Sequence, residues 1–405
     1  MKKTLWAVLL CSAATVFAAN SPSEIMLDDC SNAAVWQNKD KKYAAAAAVK
    51  DNTRDVIQIT HPGMTLRRGL SGLSPIPERN AMNGVSLEIK GNGDDFHLPF
   101  SLVGYGSNRG WTYTAYLHIR GTEWRKYTLR WDQFTAGDGN PYWDFNMPGA
   151  FGPDGIDGLM FGDRWNIWYC NRKYPVRKVL VRNIKMVKDV PAKVQLVTTP
   201  GQRVKDVIAK MKAGKKVLIM CTGDSITAGT GVKDADLNRY GVKLQKKLRE
   251  FYKNNNINVE VVAVGGARTY DLRVWSDRDY PGKRPDLVTI MIGYNDKSSR
   301  NSAAYYKESL SRAVNRILTA SEGTPAILLL PPIPGRGPRY NMMNDYTDAC
   351  IALAKERDLE YFELAPLFKK LPRATTFDSY FDDMAHPNAD GHEFIASKLA
   401  EYLTR

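Results

Sequence analysis

From about residue 202 to the end of the chain, apolar runs of strand length take turns with stretches of helical period. The runs are Val217 to Cys221, Val259 to Val264, Leu287 to Ile292, Ala326 to Leu330 and Tyr361 to Leu364. They lack the strict apolar–polar alternation of a half-exposed sheet, so both faces of each strand are expected to be covered. Between them, Leu237, Tyr240, Leu244, Leu248 and Phe251 recur at helical spacing, as do Tyr346, Cys350 and Leu353, and Ile395, Leu399 and Tyr402. Right-handed crossovers then predict a parallel sheet between two helical layers, an α/β/α sandwich of flavodoxin-like type. Reactive groups in such folds belong at the C-terminal ends of the strands.

The strand ends carry chemistry. The first run leads into Cys221-Thr-Gly-Asp-Ser225, a Gly-punctuated turn that places a serine at the entrance to a helix. A serine hydroxyl is inert without a base and an oxyanion site. Only two histidines lie in this half, His386 and His392. His386 stands in a loop before the last helix and is the expected base; His392 is expected on that helix's solvent side. Asp383, three residues before His386, can hold the imidazole, with Asp382 as runner-up. The oxyanion donors are expected to be the Ser225 N–H, the Gly266 N–H and the Asn295 side-chain amide, with Gly265 as an alternative. Asp224 and Asp296 are expected to orient their turns. Thr227 and Arg268 flank the site without an assigned role.

Four blocks stand in order: Gly223-Asp-Ser-Ile, Gly266, Gly293-Tyr-Asn-Asp296 and Asp383-Met-Ala-His386-Pro. They resemble the SGNH hydrolase family, also called GDSL esterases and lipases, over nearly the whole C-terminal region. The resemblance implies a Ser-His-Asp esterase with a flavodoxin-like fold, no metal and no cofactor. One departure is Ala263, where the family usually has an asparagine shortly before the second-block glycine. The Gly-x-Ser-x-Gly elbow of the α/β-hydrolases is absent from the region.

Residues 20–190 read differently. Asp55 to Thr60, Val85 to Lys90 and Lys178 to Val187 alternate apolar with polar residues. Turn signals such as Gly91-Asn-Gly93 and Gly137-Asp-Gly139 separate such runs, which suits an antiparallel β-sandwich. The run Ala44 to Ala48 fits a helical turn or a small-residue strand equally. Glu123 to Phe134, Gly84 to Gly93 and Val179 to Met186 resemble strands of galactose-binding-like domains, which implies a carbohydrate-binding or accessory module. Trp111, Trp143, Trp165, Trp168 and Tyr169 are candidates for stacking on sugar rings, and Trp143 is the best candidate for exposure. Residues 191–201 hold two prolines and read as a linker to the catalytic region at 202–405.

Residues 1–19 have the basic start, apolar core and small-residue end of a signal peptide, so a secreted or periplasmic protein without a lasting membrane anchor is expected. Its removal leaves Cys30, Cys170, Cys221 and Cys350. Cys30 and Cys170 are the first candidate disulfide, while Cys221 and Cys350 suit the core. The net charge of +14 is spread along the chain with no basic block or nucleic-acid motif, which argues against a nucleic-acid partner. Secretion and the sandwich in front of the catalytic region favour an acetylated carbohydrate or polysaccharide substrate, as the resemblance also implies. The rivals are a lipolytic esterase or thioesterase with the same triad, and a glycan-binding protein with a vestigial site.

Overall fold

The computed structural model describes residues 22–38, 45–61, 66–70, 77–104, 112–162, 177–323, 325–337, 343–372 and 377–405. The signal-like segment, Trp111, Trp165, Trp168, Tyr169 and Cys170 lie outside the described residues. Cys30 is buried and forms no disulfide among the described residues.

Alternation in the N-terminal part produces two antiparallel sheets. Their strands are β1 (Glu24–Asp28), β2 (Trp36–Asn38), β3 (Ala45–Asp51), β4 (Arg54–His61), β5 (Leu66–Gly69), β6 (Gly84–Lys90), β7 (Phe96–Gly104), β8 (Thr112–Ile119), β9 (Trp124–Arg130), β10 (Thr135–Ala136), β11 (Ile156–Phe161) and β12 (Arg177–Val187). One sheet has the order β3-β4-β12-β6-β9 with β1 also on β12; the other runs β10-β8-β7-β11-β5-β2. The alanine run is therefore a strand from Ala45 onward. Val85, Leu87 and Ile89 of β6 and Leu98, Phe100 and Leu102 of β7 all belong to the one buried core of this domain. Burying each such side chain contributes roughly 1.5–3 kcal/mol, the term that holds the sandwich together.

The C-terminal domain has its own core. Five parallel strands, β13 (Val217–Gly223), β14 (Ile257–Ala263), β15 (Leu287–Met291), β16 (Ala326–Leu329) and β17 (Glu360–Tyr361), lie in the order β14-β13-β15-β16-β17. This is the flavodoxin-like arrangement, in which the chain reverses its direction of winding at β13. The helices are α1 (Val204–Lys212), α2 (Ser225–Ala228), α3 (Ala235–Asn238), α4 (Tyr240–Tyr252), α5 (Thr269–Asp279), α6 (Tyr294–Ser298), α7 (Ala303–Ala320), α8 (Asn344–Glu356), α9 (Ala365–Lys369) and α10 (Ala389–Leu403). Cys221 and Cys350 are buried in this core. The last strand is shorter than its apolar run, because Leu364 and Pro366 open α9. The expected stripe on α4 is also shorter. Tyr240, Leu244 and Leu248 are buried, but extended backbone at Arg239 separates α4 from α3, which carries the exposed Leu237; Phe251 is exposed as well.

Residues 189–203 carry no helix or strand, yet they are held on both sides. Arg130 donates to the Ala192 carbonyl, and the Val197 N–H donates to Thr319 Oγ1. The domains meet along α5 and α7. Arg316 Nη2 reaches the Asp132 and Gln133 carbonyls, and the Gly139 N–H donates to the Tyr305 hydroxyl. Trp143, the expected sugar platform, lies half-buried in this seam. Its ring stacks on Tyr305 at 4.8 Å, with the Arg273 and Arg312 guanidinium groups 4.7 and 5.1 Å from its centroid. Aromatic and cation–π contacts within the protein hold the ring in place. Trp143→Ala is therefore expected to cost about 1–3 kcal/mol and to broaden or split the thermal transition as the domains uncouple, read by calorimetry.

Candidate active site

The site begins at the end of β13. Gly223 is required there, since a Cβ would stand 2.3 Å from both the Met291 carbonyl oxygen and Thr227 Oγ1. Asp224 follows as the N-cap of α2, its Oδ1 accepting from the Ile226 N–H at 3.0 Å. Ser225 is thus the first helical residue rather than the cap. Its N–H has no protein acceptor among the described residues, as befits a helix start. The side chain of Thr227 accepts from the Tyr240 hydroxyl, deep in the core.

His386 reaches the serine from a separate loop. A bridge between Phe381 and Pro387 closes the turn, and the Asp382 N–H donates to the His386 carbonyl. Asp383 Oδ1 accepts from the N–H groups of Ala385 and His386, each at 2.7 Å. Its Oδ2 lies 2.7 Å from His386 Nδ1, and His386 Nε2 lies 2.9 Å from Ser225 Oγ. An ionised carboxylate only accepts, so in the neutral ring Nδ1 carries the proton and Nε2 is left to accept from the serine hydroxyl. Partial burial pushes the Asp383 carboxyl upward, but the His386 ring and the two N–H donors outweigh it and hold the group below its ordinary range. The side chain of Asp382, the runner-up, is exposed and makes no such contact. Arg336 steadies the loop by donating to the Phe381 carbonyl, and the Gly337 N–H donates to that of Met384.

The loop after β14 adjoins the serine, and the loop after β15 is bonded to that loop. A Cβ at Gly265 would lie 3.8 Å from that of Ser225. Gly266 has φ +83°, a left-handed conformation that favours glycine. Asn295, in α6, donates through Nδ2 to the Ala267 carbonyl at 2.9 Å, one residue beyond Gly266. Asp296 joins the same two loops from beneath, accepting from the Thr269 N–H and, at 2.6 Å, from its hydroxyl. Among the described residues, no group of three His, Cys, Asp or Glu side chains is placed to hold a metal ion.

His392 is not on the surface. It is fully buried, its Nδ1 accepts from the Tyr240 N–H at 3.2 Å, and its ring stacks on that of Tyr240. Burial pushes its pKa down to about 4, with help from Lys243 and His386, so it stays neutral and structural. The signal was present in the sequence: His392 is three residues before Ile395 and seven before Leu399, on the apolar face. The contact of Arg268 with the sandwich had no such signal, because its partner Asp138 is 130 positions away.

Residues 221–394 match the model of the GDSL-like lipase/acylhydrolase family. The C-terminal half of the chain is a domain of that family. The hydrolase domain is similar to two acetylxylan esterases. One, from Xylanibacter ruminicola, is 27% identical over 213 residues, 46% of this chain and 42% of that protein. The other, from Geobacillus stearothermophilus, is 24% identical over 205 residues, 46% of this chain and 93% of that protein. The match thus spans less than half the length of the Xylanibacter enzyme. Among solved structures, a two-domain esterase active on acetylated mannans matches with a TM-score of 0.42 at 22% identity, covering 51% of this chain and 54% of that one.

Asp224 and Asp296 differ from Asp383 in being sealed off. Burial pushes the Asp224 carboxyl up to about 7, against the pull of the Ile226 N–H, and the charge of Asp296 adds to the rise. Burial likewise lifts Asp296 to about 6 despite its Thr269 bonds. A raised carboxyl pKa means that the folded state keeps a proton that the unfolded chain releases. The stability contributed by Asp224 is fully present below about pH 4, and it is lost as pH rises through about 7. Asp224→Asn keeps the Oδ1 cap and removes the titration. Its melting temperature relative to the parent is expected to improve steadily from pH 5 to pH 8, read by thermal melts across that range.

Proposed function

We propose that the protein is a serine esterase that removes acetyl or similarly small acyl groups from a carbohydrate. The observation that carries this reading is the line from Asp383 through His386 to the Ser225 hydroxyl, at 2.7 and 2.9 Å. His386 Nε2 takes the proton of Ser225 as Oγ attacks the ester carbonyl. Asp383 keeps the proton on Nδ1 and stabilises the imidazolium. The N–H groups of Ser225 and Gly266 and the side-chain amide of Asn295 hold the tetrahedral oxyanion. His386 returns the proton to the leaving sugar hydroxyl, and a water activated by the same ring then releases the acid.

The substrate class draws support from the two acetylxylan esterases that the hydrolase domain resembles. It also draws support from the sandwich domain and from the signal-like segment at residues 1–19, which would export the protein to where cell-wall polysaccharides are met. Acetate release from acetylated xylans and mannans tests it. Acetyl p-nitrophenyl esters are expected to turn over faster than long-chain ones; the reverse order would make the enzyme lipolytic.

Ser225→Ala is expected to abolish hydrolysis with the fold intact, measured as acetate release beside circular dichroism; near-parental activity would end the serine mechanism. Asn295→Ala is expected to lower kcat by about 10²–10³ while KM moves little, as for the loss of one oxyanion donor.

A further inference from the structure

The turn Gly137-Asp-Gly139 follows β10 of the sandwich and crosses to the hydrolase domain. Asp138 at its tip is mostly buried, with 18% of its side chain exposed. Its two oxygens serve two different loops. Oδ2 accepts from Arg268 Nη1 at 2.8 Å, and Oδ1 accepts from Asn301 Nδ2 at 3.1 Å. Arg268 stands two residues after Gly266 and caps α5, its own N–H donating to Asp271 at 2.8 Å. Asn301 follows α6, the helix that carries Asn295, and its carbonyl accepts from the Tyr346 hydroxyl. Arg268 Nη1 also reaches Ser299 Oγ, in the segment after α6, at 3.3 Å.

One carboxylate from the N-terminal domain therefore fastens together the two segments that present Gly266 and Asn295. We propose that Asp138 is a positioning residue for the oxyanion site, setting the separation of those two loops from outside the hydrolase domain. The inference rests on the esterase reading above. Oxyanion donors act only when held within a few tenths of an ångström of the developing charge, so a loosened loop costs rate more than affinity. Within the hydrolase domain the loops are joined by the Asn295–Ala267 and Asp296–Thr269 bonds. Asp138 adds a charged link on the side facing the sandwich. Without it, Arg268 would lose its shortest carboxylate contact and keep the longer contacts to Asp271, at 3.6 Å, and to Ser299 Oγ, at 3.3 Å.

The test uses the full chain and p-nitrophenyl acetate, measuring kcat and KM separately. Asp138→Asn keeps the shape, but its amide nitrogen meets a donor on one side. It is expected to lower kcat about tenfold or more with KM within about twofold. Asn301→Ala, which removes one arm only, is expected to give a smaller loss in the same direction. Asp138→Asn combined with Arg268→Gln is expected to be no slower than the slower single variant, since both break one link. Tyr305→Phe removes the other anchor of the same turn, at Gly139, without touching either loop, and is expected to leave kcat within about twofold. An unchanged kcat in Asp138→Asn would overturn the proposal, as would additive losses in the double variant or an equal loss in Tyr305→Phe. Ser225→Ala separates the two ideas: if it kills activity while Asp138→Asn does not, the esterase reading stands and only the positioning role falls.

Discussion

The order of the parallel sheet is the constraint on which the site depends. β13 lies between β14 and β15, so the turns that leave these three strands emerge side by side, about 4.8 Å apart. Ser225, the Gly265–Gly266 turn and Asn295 each belong to one of them. That adjacency comes from the strand order, with the reversal of winding at β13 as the switch point. The histidine arrives differently, on a loop before the final helix. Hydrogen bonds pin that loop: the Phe381–Pro387 bridge, the Arg336 guanidinium and the Gly337 N–H.

Beneath this surface, two buried carboxylates give the turns their shape. Asp224 caps α2, which frees Ser225 to be the first helical residue with an unspent N–H. Asp296 collects the N–H and hydroxyl of Thr269 and so locks the second loop to the third. The environments separate three aspartates into two kinds. Asp383 is kept ionised by the ring and N–H donors around it, while burial drives Asp224 and Asp296 toward the neutral acid. That division suits a site in which one carboxylate faces an imidazole and two serve as scaffolding.

The sandwich is more than a neighbour in sequence. Its turn at residues 137–139 and its Trp143 both engage α5, α7 and the segments beside them. The seam is rich in arginine: Arg268, Arg273, Arg312 and Arg316 all contact the N-terminal domain, mostly at its backbone carbonyls and aspartates. Guanidinium groups suit this position because they pair with carboxylates and stack on aromatic rings at once. Part of the high positive charge of the chain is thereby spent within the molecule.

Much of this was legible in the residues alone. Apolar runs without alternation give a parallel sheet, because only a strand covered on both faces tolerates them. Alternation gives the antiparallel sandwich for the opposite reason. Ser225, Asp383 and His386 stand out because they sit in short turns whose chemistry is local, and the aspartate is three residues from its histidine. Other features became visible only in three dimensions. The inward turn of His392 was decided by the packing of α10 on α4, and the place of Trp143 by a partner domain. The bond from Asp138 to Arg268 joins positions far apart in the chain. Periodicity and turn chemistry act over a few residues and can be read along a sequence; contacts between surfaces depend on how whole domains dock, and no local pattern encodes them.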